Sequence, residues 1–181
     1  MKSFFIFTAA ALAILAIARV ASHAQEQTMP TVGQIAPAFT LPSQDGSPIA
    51  LESLRGKWVV LYFYPKDMTP GCTIEAHNFQ RDLSQYEAKN AVILGVSVDS
   101  TASHQQFCTK ESLSFRLLSD TAHAVVEQYG SLGDFAGMTI ANRNTFLIDP
   151  TGKITQIWTK VSPQGHSAEV LAAIPATAPL P

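Results

Sequence analysis

One cysteine, Cys72, stands where the local backbone could make its thiol a nucleophile. It follows the apolar and aromatic run 58–64, which is typical of a strand buried on both faces. Pro65 ends that strand because proline cannot donate to a sheet ladder, and residues 66–71 form a turn. Cys72 then opens a segment with helical spacing, where free N–H groups and the helix dipole stabilise a thiolate. The alternative is a small apolar side chain buried at a helix start.

The residue types around Cys72 form a motif. Pro65, Thr69 and Cys72 have the spacing P-x-x-x-T-x-x-C, preceded by the aromatic pair FY. The run FYPKDMTPGCT resembles the peroxiredoxin family, in particular its peroxiredoxin Q branch, also called bacterioferritin comigratory protein, and the resemblance covers most of residues 33–172. It implies a thiol peroxidase that reduces hydrogen peroxide and organic hydroperoxides through a Cys72 sulfenic acid. It also implies a thioredoxin-like dithiol protein as reductant and no metal or other cofactor.

Two further residues of the motif fit this chemistry. The Thr69 hydroxyl could lie beside the Cys72 sulfur and hydrogen-bond the peroxide, or it could simply cap the helix. Pro65 could pack over the sulfur and exclude water, and it could also act only as a strand terminator. The Cys72 backbone N–H could stabilise charge on the leaving oxygen.

The reaction also needs a cation, and an arginine suits it because its charge is permanent and its N–H groups form a fork. Arg143 directly precedes an apolar strand, and the segment NRNTFLIDPTGKI resembles the strand that carries the catalytic arginine in this family. The resemblance therefore assigns that role to Arg143, the alternative being a solvated arginine at a strand start. The other arginines considered are expected on exposed faces: Arg55, Arg81 and Arg116.

Glu75 lies three residues after Cys72 and permits two interpretations. It could orient Arg143 or another cation through a salt bridge. It could equally be a surface acid or a first-turn acid favoured by the helix dipole.

Cys108 is the candidate resolving thiol, which would condense with the sulfenic acid to a disulfide. Many members of the resembled branch carry this cysteine five residues after the peroxidatic one, where this chain has His77. Others carry it in the next helix, which matches Cys108. If both helices are intact, the first turn of the Cys72 helix must unwind, with or without part of the Cys108 helix, because a disulfide needs Cα atoms within about 7 Å. The alternative is a buried Cys108 and a one-cysteine enzyme.

Two rival functions remain at this stage. A thioredoxin-class thiol–disulfide oxidoreductase is disfavoured because the chain has no C-x-x-C. An exported binding module could instead hold its two cysteines in a permanent structural disulfide. A zinc site is disfavoured because no pair among His77, His104, His123 and His166 has the spacing of helix-borne ligands, and these residues are expected to be surface or ordinary polar side chains.

The elements that must position these residues alternate between strands and helices. We expect a thioredoxin-like α/β fold, with a central mixed sheet flanked by helices and an N-terminal β-hairpin. Residues 130–141, with three glycines, are expected to form a loop. The expected strands are 38–41, 49–51, 58–64, 91–98, 114–118, 144–148 and 153–159. The expected helices are one turn at 52–55, the segment that Cys72 opens, 102–112, 122–129 and 167–174.

The two termini of the chain indicate the cellular location of the protein. Lys2, an apolar stretch to residue 18, and small residues at Ser22 and Ala24 predict a secretory signal peptide, residues 1–24, cleaved after Ala24. The alternative is an uncleaved membrane anchor. The domain then covers 25–174, followed by a disordered Pro/Ala tail, 175–181. We expect an exported, periplasmic monomer that leaves the membrane after cleavage, and the net charge of −2 disfavours nucleic acid as a partner.

Overall fold

The computed structural model describes residues 29–176, which form nine strands, four α-helices and one 3-10 helix. The strands are β1 (Thr40–Pro42), β2 (Pro48–Ala50), β3 (Trp58–Phe63), β4 (Ala91–Ser97), β5 (Arg116–Ser119), β6 (Leu132–Phe135), β7 (Met138–Ala141), β8 (Asn144–Ile148) and β9 (Ile154–Thr159). The helices are α1 (Pro70–Ala88), α2 (Thr101–Glu111), α3 (Ala124–Gln128) and α4 (His166–Ala173), and the 3-10 helix covers Leu51–Leu54. The predicted signal peptide, 1–24, and most of the predicted tail lie outside the described residues.

The central sheet has five strands in the order β5-β4-β3-β8-β9. Strands β3, β4 and β5 are parallel, while β8 and β9 are antiparallel to their neighbours. The parallel strands are connected through α1 and α2, since a parallel connection must cross over the sheet. Strands β1 and β2 form the N-terminal hairpin. The predicted mixed sheet and hairpin are therefore confirmed.

Strand β3 divides the core into two layers because successive side chains of a strand point to opposite faces. Val59, Leu61 and Phe63 pack in the layer that includes α3. Val60 and Tyr62 pack in the layer formed by α1, α2 and α4, which also contains both cysteines. Helices cover both faces of the sheet, which is why β3 is almost wholly buried.

Helix α1 begins two residues before Cys72. Pro70 occupies its first position and Thr69 its N-cap, because proline has a helical φ and lacks an N–H that would be unpaired there. Cys72 therefore lies in the first turn, at the end of the sheet where β3 leads into the helix. The helix ends before Asn90, which has a positive φ of 53°.

The loop predicted for residues 130–141 is wrong, because this segment contains an antiparallel hairpin of β6 and β7. Its turn residues, Ala136 and Gly137, both have positive φ, as the tight turns of two-residue hairpins require. Ala136 is a poor sequence signal for such a turn, since asparagine or aspartate is usual there. Asn142 stabilises the base of the hairpin by donating its side-chain amide to the Leu132 carbonyl at 2.9 Å.

Two histidines expected to be surface or ordinary polar residues are buried in the domain. His104 has no exposed surface, and its Nδ1 lies 2.8 Å from Asp67 Oδ2. His166 is also buried, with its Nε2 2.8 Å from Thr145 Oγ1. Hydrogen bonds to partners on neighbouring elements offset the desolvation cost of burying these imidazoles, and a single sequence does not reveal such partners.

Residues 29–176 contain neither a membrane-spanning helix nor a metal-binding cluster. None of the helices there is both long and apolar enough to cross a bilayer. In the same part of the chain, no cluster of histidine, cysteine, aspartate and glutamate side chains has a metal-binding arrangement.

Gly95 of β4 lies at a tightly packed position of the central sheet. A Cβ at that position would lie 2.7 Å from Leu117 Cδ2 and from the Tyr62 ring, both fully buried on the neighbouring strands. We expect Gly95→Ala to lower the free energy of unfolding by about 1–3 kcal/mol, measured by urea denaturation. Gly165→Ala is the matched control, because its Cβ would meet open space, and it should cost much less. Equal costs for the two variants would contradict this account of the packing.

Candidate active site

Cys72 is a free thiol with only 2% of its surface exposed. It lies in the first turn of α1, where backbone N–H groups lack intrahelical partners and the helix dipole favours a negative charge. The Arg143 Nη2 group donates to the Cys72 sulfur at 3.0 Å. A thiolate at this position is therefore stabilised from the helix end and from a guanidinium.

Arg143 lies between β7 and β8 and reaches α1 across the end of the sheet. Its carbonyl accepts a hydrogen bond from the Val161 N–H at 3.0 Å, which anchors the backbone beside the site. Its Nη1 donates to Glu75 Oε2 at 2.5 Å, so the two arms of one guanidinium contact Glu75 and Cys72. This fork geometry is specific to arginine, because a lysine ammonium is a point charge on a flexible stem.

Glu75 is 1% exposed, so it is the partner of Arg143 and not a surface acid. Burial raises the pKa of Glu75 to about 7, although the charge and hydrogen bond of Arg143 oppose this shift. The carboxylate orients the guanidinium while remaining sensitive to pH near neutrality. Of the two interpretations that the sequence left open, the structure shows the salt bridge.

Gly71 is a site residue that sequence reasoning missed. A Cβ there would lie 2.9 Å from Arg143 Nη2, so the missing side chain leaves room for the guanidinium beside the helix start. The available signal was the glycine itself, in the first turn of a helix where it carries an entropic cost. We attribute its presence to the close approach of Arg143.

Thr69 and Pro65 precede Cys72 by three and seven residues, and both are partly buried. The Thr69 hydroxyl donates to the Lys66 carbonyl at 3.0 Å, and the residue occupies the N-cap position without capping through its side chain. Pro65 directly follows the buried Tyr64. Both residues also line a cavity beside the site.

That cavity has a volume of about 320 Å³ and apolar walls. The active-site loop, residues 64–69 between β3 and α1, forms one side of the cavity, and the β6–β7 hairpin forms the other. Phe135 and Met138 of the hairpin are unusually exposed for apolar side chains, at 66% and 50%. The lining residues are Pro65, Lys66, Thr69, Phe135, Met138 and Ile140.

Cys108 lies on α2 as a second buried free thiol, in the same core layer as Cys72. Burial, together with the negative charge of Asp67, raises the pKa of the Cys108 thiol to about 11. The two cysteines are thus on different helices of one layer, and in the reduced protein both helices are intact.

Asp67 is another residue that the sequence analysis missed. It lies in the active-site loop, is 6% exposed and accepts a hydrogen bond from the Tyr64 hydroxyl at 2.7 Å. It also contacts Ser103 and His104 of α2, at 2.7 and 2.8 Å, and so connects the Cys72 loop to the Cys108 helix. Arg55, Arg81 and Arg116 are exposed as expected.

Known proteins resemble the chain in sequence and in fold. Residues 32–157 match the AhpC/TSA family. A putative peroxiredoxin bcp of Coxiella burnetii is 47% identical over 150 residues, covering 79% of this chain and 97% of that protein. A cysteine mutant of Xylella fastidiosa PrxQ superimposes with a TM-score of 0.76 at 34% identity, covering 80% and 95% of the two chains.

A third relative is the Xanthomonas campestris bacterioferritin comigratory protein, whose structure was described in connection with alkyl peroxide reduction. It is 38% identical, with a TM-score of 0.71 and coverage of 75% and 89%. Two Xanthomonas campestris peroxiredoxin Q structures carry cysteine-to-serine substitutions at positions 36 residues apart. From the match to the family and the extent of these similarities, the chain belongs to the AhpC/TSA family, in its peroxiredoxin Q (Bcp) branch, and is a thiol peroxidase.

Proposed function

We propose that Cys72 is the nucleophile of this peroxidase and that Arg143 activates it. The observation that carries the proposal is the 3.0 Å hydrogen bond from Arg143 Nη2 to the Cys72 sulfur. The thiolate attacks one peroxide oxygen, the O–O bond breaks, and the second oxygen leaves as water or alcohol after protonation. The same guanidinium and the Cys72 N–H stabilise the charge that develops on the two oxygens.

Glu75, Thr69 and Pro65 have supporting roles in the proposal. Glu75 holds the guanidinium against the sulfur, since its carboxylate is buried and occupies the other arm of Arg143. The Thr69 hydroxyl exchanges its contact with Lys66 for a hydrogen bond to the bound peroxide. Pro65 restricts access of water to the sulfur from the loop side.

Cys108 resolves the Cys72 sulfenic acid as an intramolecular disulfide. The spacing of 36 residues between Cys72 and Cys108 equals that between the two cysteines substituted in the Xanthomonas campestris peroxiredoxin Q structures. Both helices are intact in the reduced protein, so the disulfide requires local unwinding. A thioredoxin-like dithiol protein then reduces the bond. The monomeric state, export and cleavage after Ala24 stay predictions.

Organic hydroperoxides are substrates in this proposal because the apolar cavity adjoins the active-site loop. An alkyl chain in the cavity would be removed from water by Phe135, Met138 and Ile140, and apolar burial favours binding. The relative from Xanthomonas campestris, described for alkyl peroxide reduction, supports this substrate class.

Cys72→Ser should abolish peroxide consumption, because serine at this position is not ionised and reacts poorly. Cys108→Ser should consume one equivalent of peroxide to form Cys72 sulfenic acid, and under excess peroxide a second equivalent should oxidise it to sulfinic acid, both detected by mass spectrometry. Turnover retained in Cys72→Ser would overturn the proposed nucleophile. Full turnover of Cys108→Ser with the same protein reductant would show a one-cysteine mechanism.

Arg143→Gln should slow the reaction of reduced enzyme with hydrogen peroxide roughly 100-fold, the usual cost of removing one such charge-stabilising donor. The rate is measured under single-turnover conditions by stopped flow. Arg116→Gln is the control, since Arg116 is exposed and pairs with Asp45 on the surface. A normal rate in Arg143→Gln would show that another group activates the thiolate.

Phe135→Ser should raise the KM for cumene hydroperoxide about tenfold and leave hydrogen peroxide unaffected, because only the organic substrate needs the apolar wall. Steady-state kinetics with both peroxides measure the difference. Leu132→Ser is the matched control: Leu132 lies on the same strand, is 41% exposed and does not line the cavity. Equal effects on both peroxides would argue against the cavity as an alkyl site.

A further inference from the structure

A buried aspartate–histidine pair lies between the two elements that carry the cysteines. His104 is wholly buried on α2, and its Nδ1 is 2.8 Å from Asp67 Oδ2 of the active-site loop. Ser103 donates to the same oxygen at 2.7 Å, and the Tyr64 hydroxyl donates to Asp67 Oδ1 at 2.7 Å. The proposed peroxidase step uses none of these groups.

The contacts of Asp67 determine its charge. Burial raises the pKa of Asp67, but the hydrogen bond and the positive charge of a protonated His104, together with hydrogen bonds from Ser103 and Tyr64, outweigh burial and hold that pKa below its ordinary value. Asp67 is therefore a carboxylate at neutral pH, and a carboxylate only accepts hydrogen bonds. The proton of a neutral His104 must consequently be on Nδ1.

This assignment leaves Nε2 of His104 as the basic nitrogen. The atom is buried and has no hydrogen-bond partner among residues 29–176. A buried acceptor without a partner has a desolvation cost, so its presence calls for an explanation. An imidazole oriented through Nδ1 by a carboxylate is the arrangement in which histidine acts as a general base through Nε2.

Cys108 is the thiol on the same helix as this imidazole. It follows His104 by four residues on α2, so the two side chains lie on the same helix face, one turn apart. Both are buried, and Tyr64, which directly follows β3, packs against the His104 ring at a centroid distance of 6.2 Å and belongs to the same core layer as Cys108. The pKa of Cys108, raised to about 11, means that the thiol is protonated at neutral pH and needs a proton acceptor.

We propose that His104, oriented by Asp67, is the general base that deprotonates Cys108 when it attacks the Cys72 sulfenic acid. The inference deepens the proposed function and rests on the resolving role of Cys108. His104 is a catalytic residue of the second half-reaction, because it takes a proton from a reacting atom. Asp67 is a positioning residue that fixes the tautomer of His104.

The step balances without any further reactant. His104 Nε2 removes the proton of the Cys108 thiol, and the thiolate attacks the Cys72 sulfur. The S–S bond forms as the S–O bond of the sulfenic acid breaks, and the leaving hydroxide takes the proton back from the imidazolium to depart as water. The negative charge of Asp67 stabilises the transient imidazolium, and the total charge of the three groups does not change during the transfer.

The structure also indicates which part of α2 moves. Its N-terminal turn is fixed by the Ser100 cap, which accepts from the Ser103 N–H, and by the contacts with Asp67. Cys108 is in the last turn, before the left-handed C-cap Ser112. Helix ends open most easily, so the last turn can release Cys108 toward Cys72 once the thiol has passed its proton to His104, which stays paired with Asp67. This opening also breaks the ion pair of Glu111 with His77 of α1.

His104→Asn tests the role, because an asparagine amide can replace the Nδ1–H donor to Asp67 but carries no base. Reduced enzyme is mixed with one equivalent of hydrogen peroxide, and quenched samples are analysed by mass spectrometry for Cys72 sulfenic acid and for the Cys72–Cys108 disulfide. At pH 7 disulfide formation should be about 100-fold slower than in wild type, and the oxidation of Cys72 should keep its rate.

The pH profile separates a base from a structural support. The titratable groups in contact with His104 are Asp67 and Tyr64, both between β3 and α1, with Cys108 one turn along α2. Without the histidine, disulfide formation should accelerate about tenfold per pH unit between pH 6 and 9, because hydroxide must ionise the thiol directly. The wild-type rate should depend much less on pH, so the defect should shrink as the pH rises.

Two further variants keep the test decisive. His166→Asn makes the same change at an equally buried histidine on α4, and it should keep the wild-type rate and pH profile of disulfide formation. Asp67→Asn should place the proton on Nε2 and cause the same defect as His104→Asn. The double variant should then be no slower than either single variant, because both changes remove one function.

Three results would overturn the inference. The first is a wild-type rate of disulfide formation in both His104→Asn and Asp67→Asn. The second is a slower rate with an unchanged pH profile, which denotes structural damage. The third is a wild type that forms Cys72 sulfenic acid but no disulfide, which leaves the peroxidase proposal intact. A wild-type Cys72 that does not react with peroxide contradicts the proposed nucleophile itself.

Discussion

The hydrogen bond from Arg143 to the Cys72 sulfur joins parts of the chain that are 71 residues apart, and the site depends on it. A thiolate that is almost wholly buried has lost most of its hydration, so a fixed positive group must replace it. Arg143 supplies that charge from the connection between β7 and β8, and Glu75 holds it in place. Gly71 leaves the space that this approach requires.

The need to orient the Arg143 guanidinium explains why the buried carboxylate of Glu75 is present. Glu75 is expensive to bury, and burial raises its pKa to about 7. Its charge is compensated by Arg143, and in return it fixes the orientation of a long and otherwise mobile side chain. The arrangement favours specificity of geometry over stability, which is a common property of reactive sites.

A second buried carboxylate, Asp67, performs an equivalent task in the loop that precedes Cys72. It fixes an imidazole of α2, while Glu75 fixes a guanidinium at the edge of β8. Charged groups therefore hold both the loop and the first turns of α1, and β3 contributes apolar side chains to the layer that contains Cys72. The last turn of α2 has no hydrogen bond to the loop among the contacts described, and its Glu111 is paired instead with His77 of α1 at 2.9 Å. Opening of the turn that carries Cys108 therefore leaves the Asp67 contacts intact and breaks this partly exposed pair.

The amino-acid sequence alone determined the fold class, the position of Cys72 at a helix start, and the motif that includes Pro65 and Thr69. These features are local: strand and helix periodicity and the strand-breaking effect of Pro65 are expressed within a few residues. The sequence also pointed to Arg143, through a resemblance that extends along its strand.

Only the tertiary structure decided which groups meet. The choice between a paired and a solvated Glu75, the need for Gly71, and the burial of His104 against Asp67 depend on contacts between elements far apart in the chain. The β6–β7 hairpin was missed because Ala136 is an atypical turn residue, although it has a left-handed conformation in the tight turn between the paired strands. Burial and pairing depend on the residues that surround a side chain in the folded protein, and its neighbours along the sequence do not specify them.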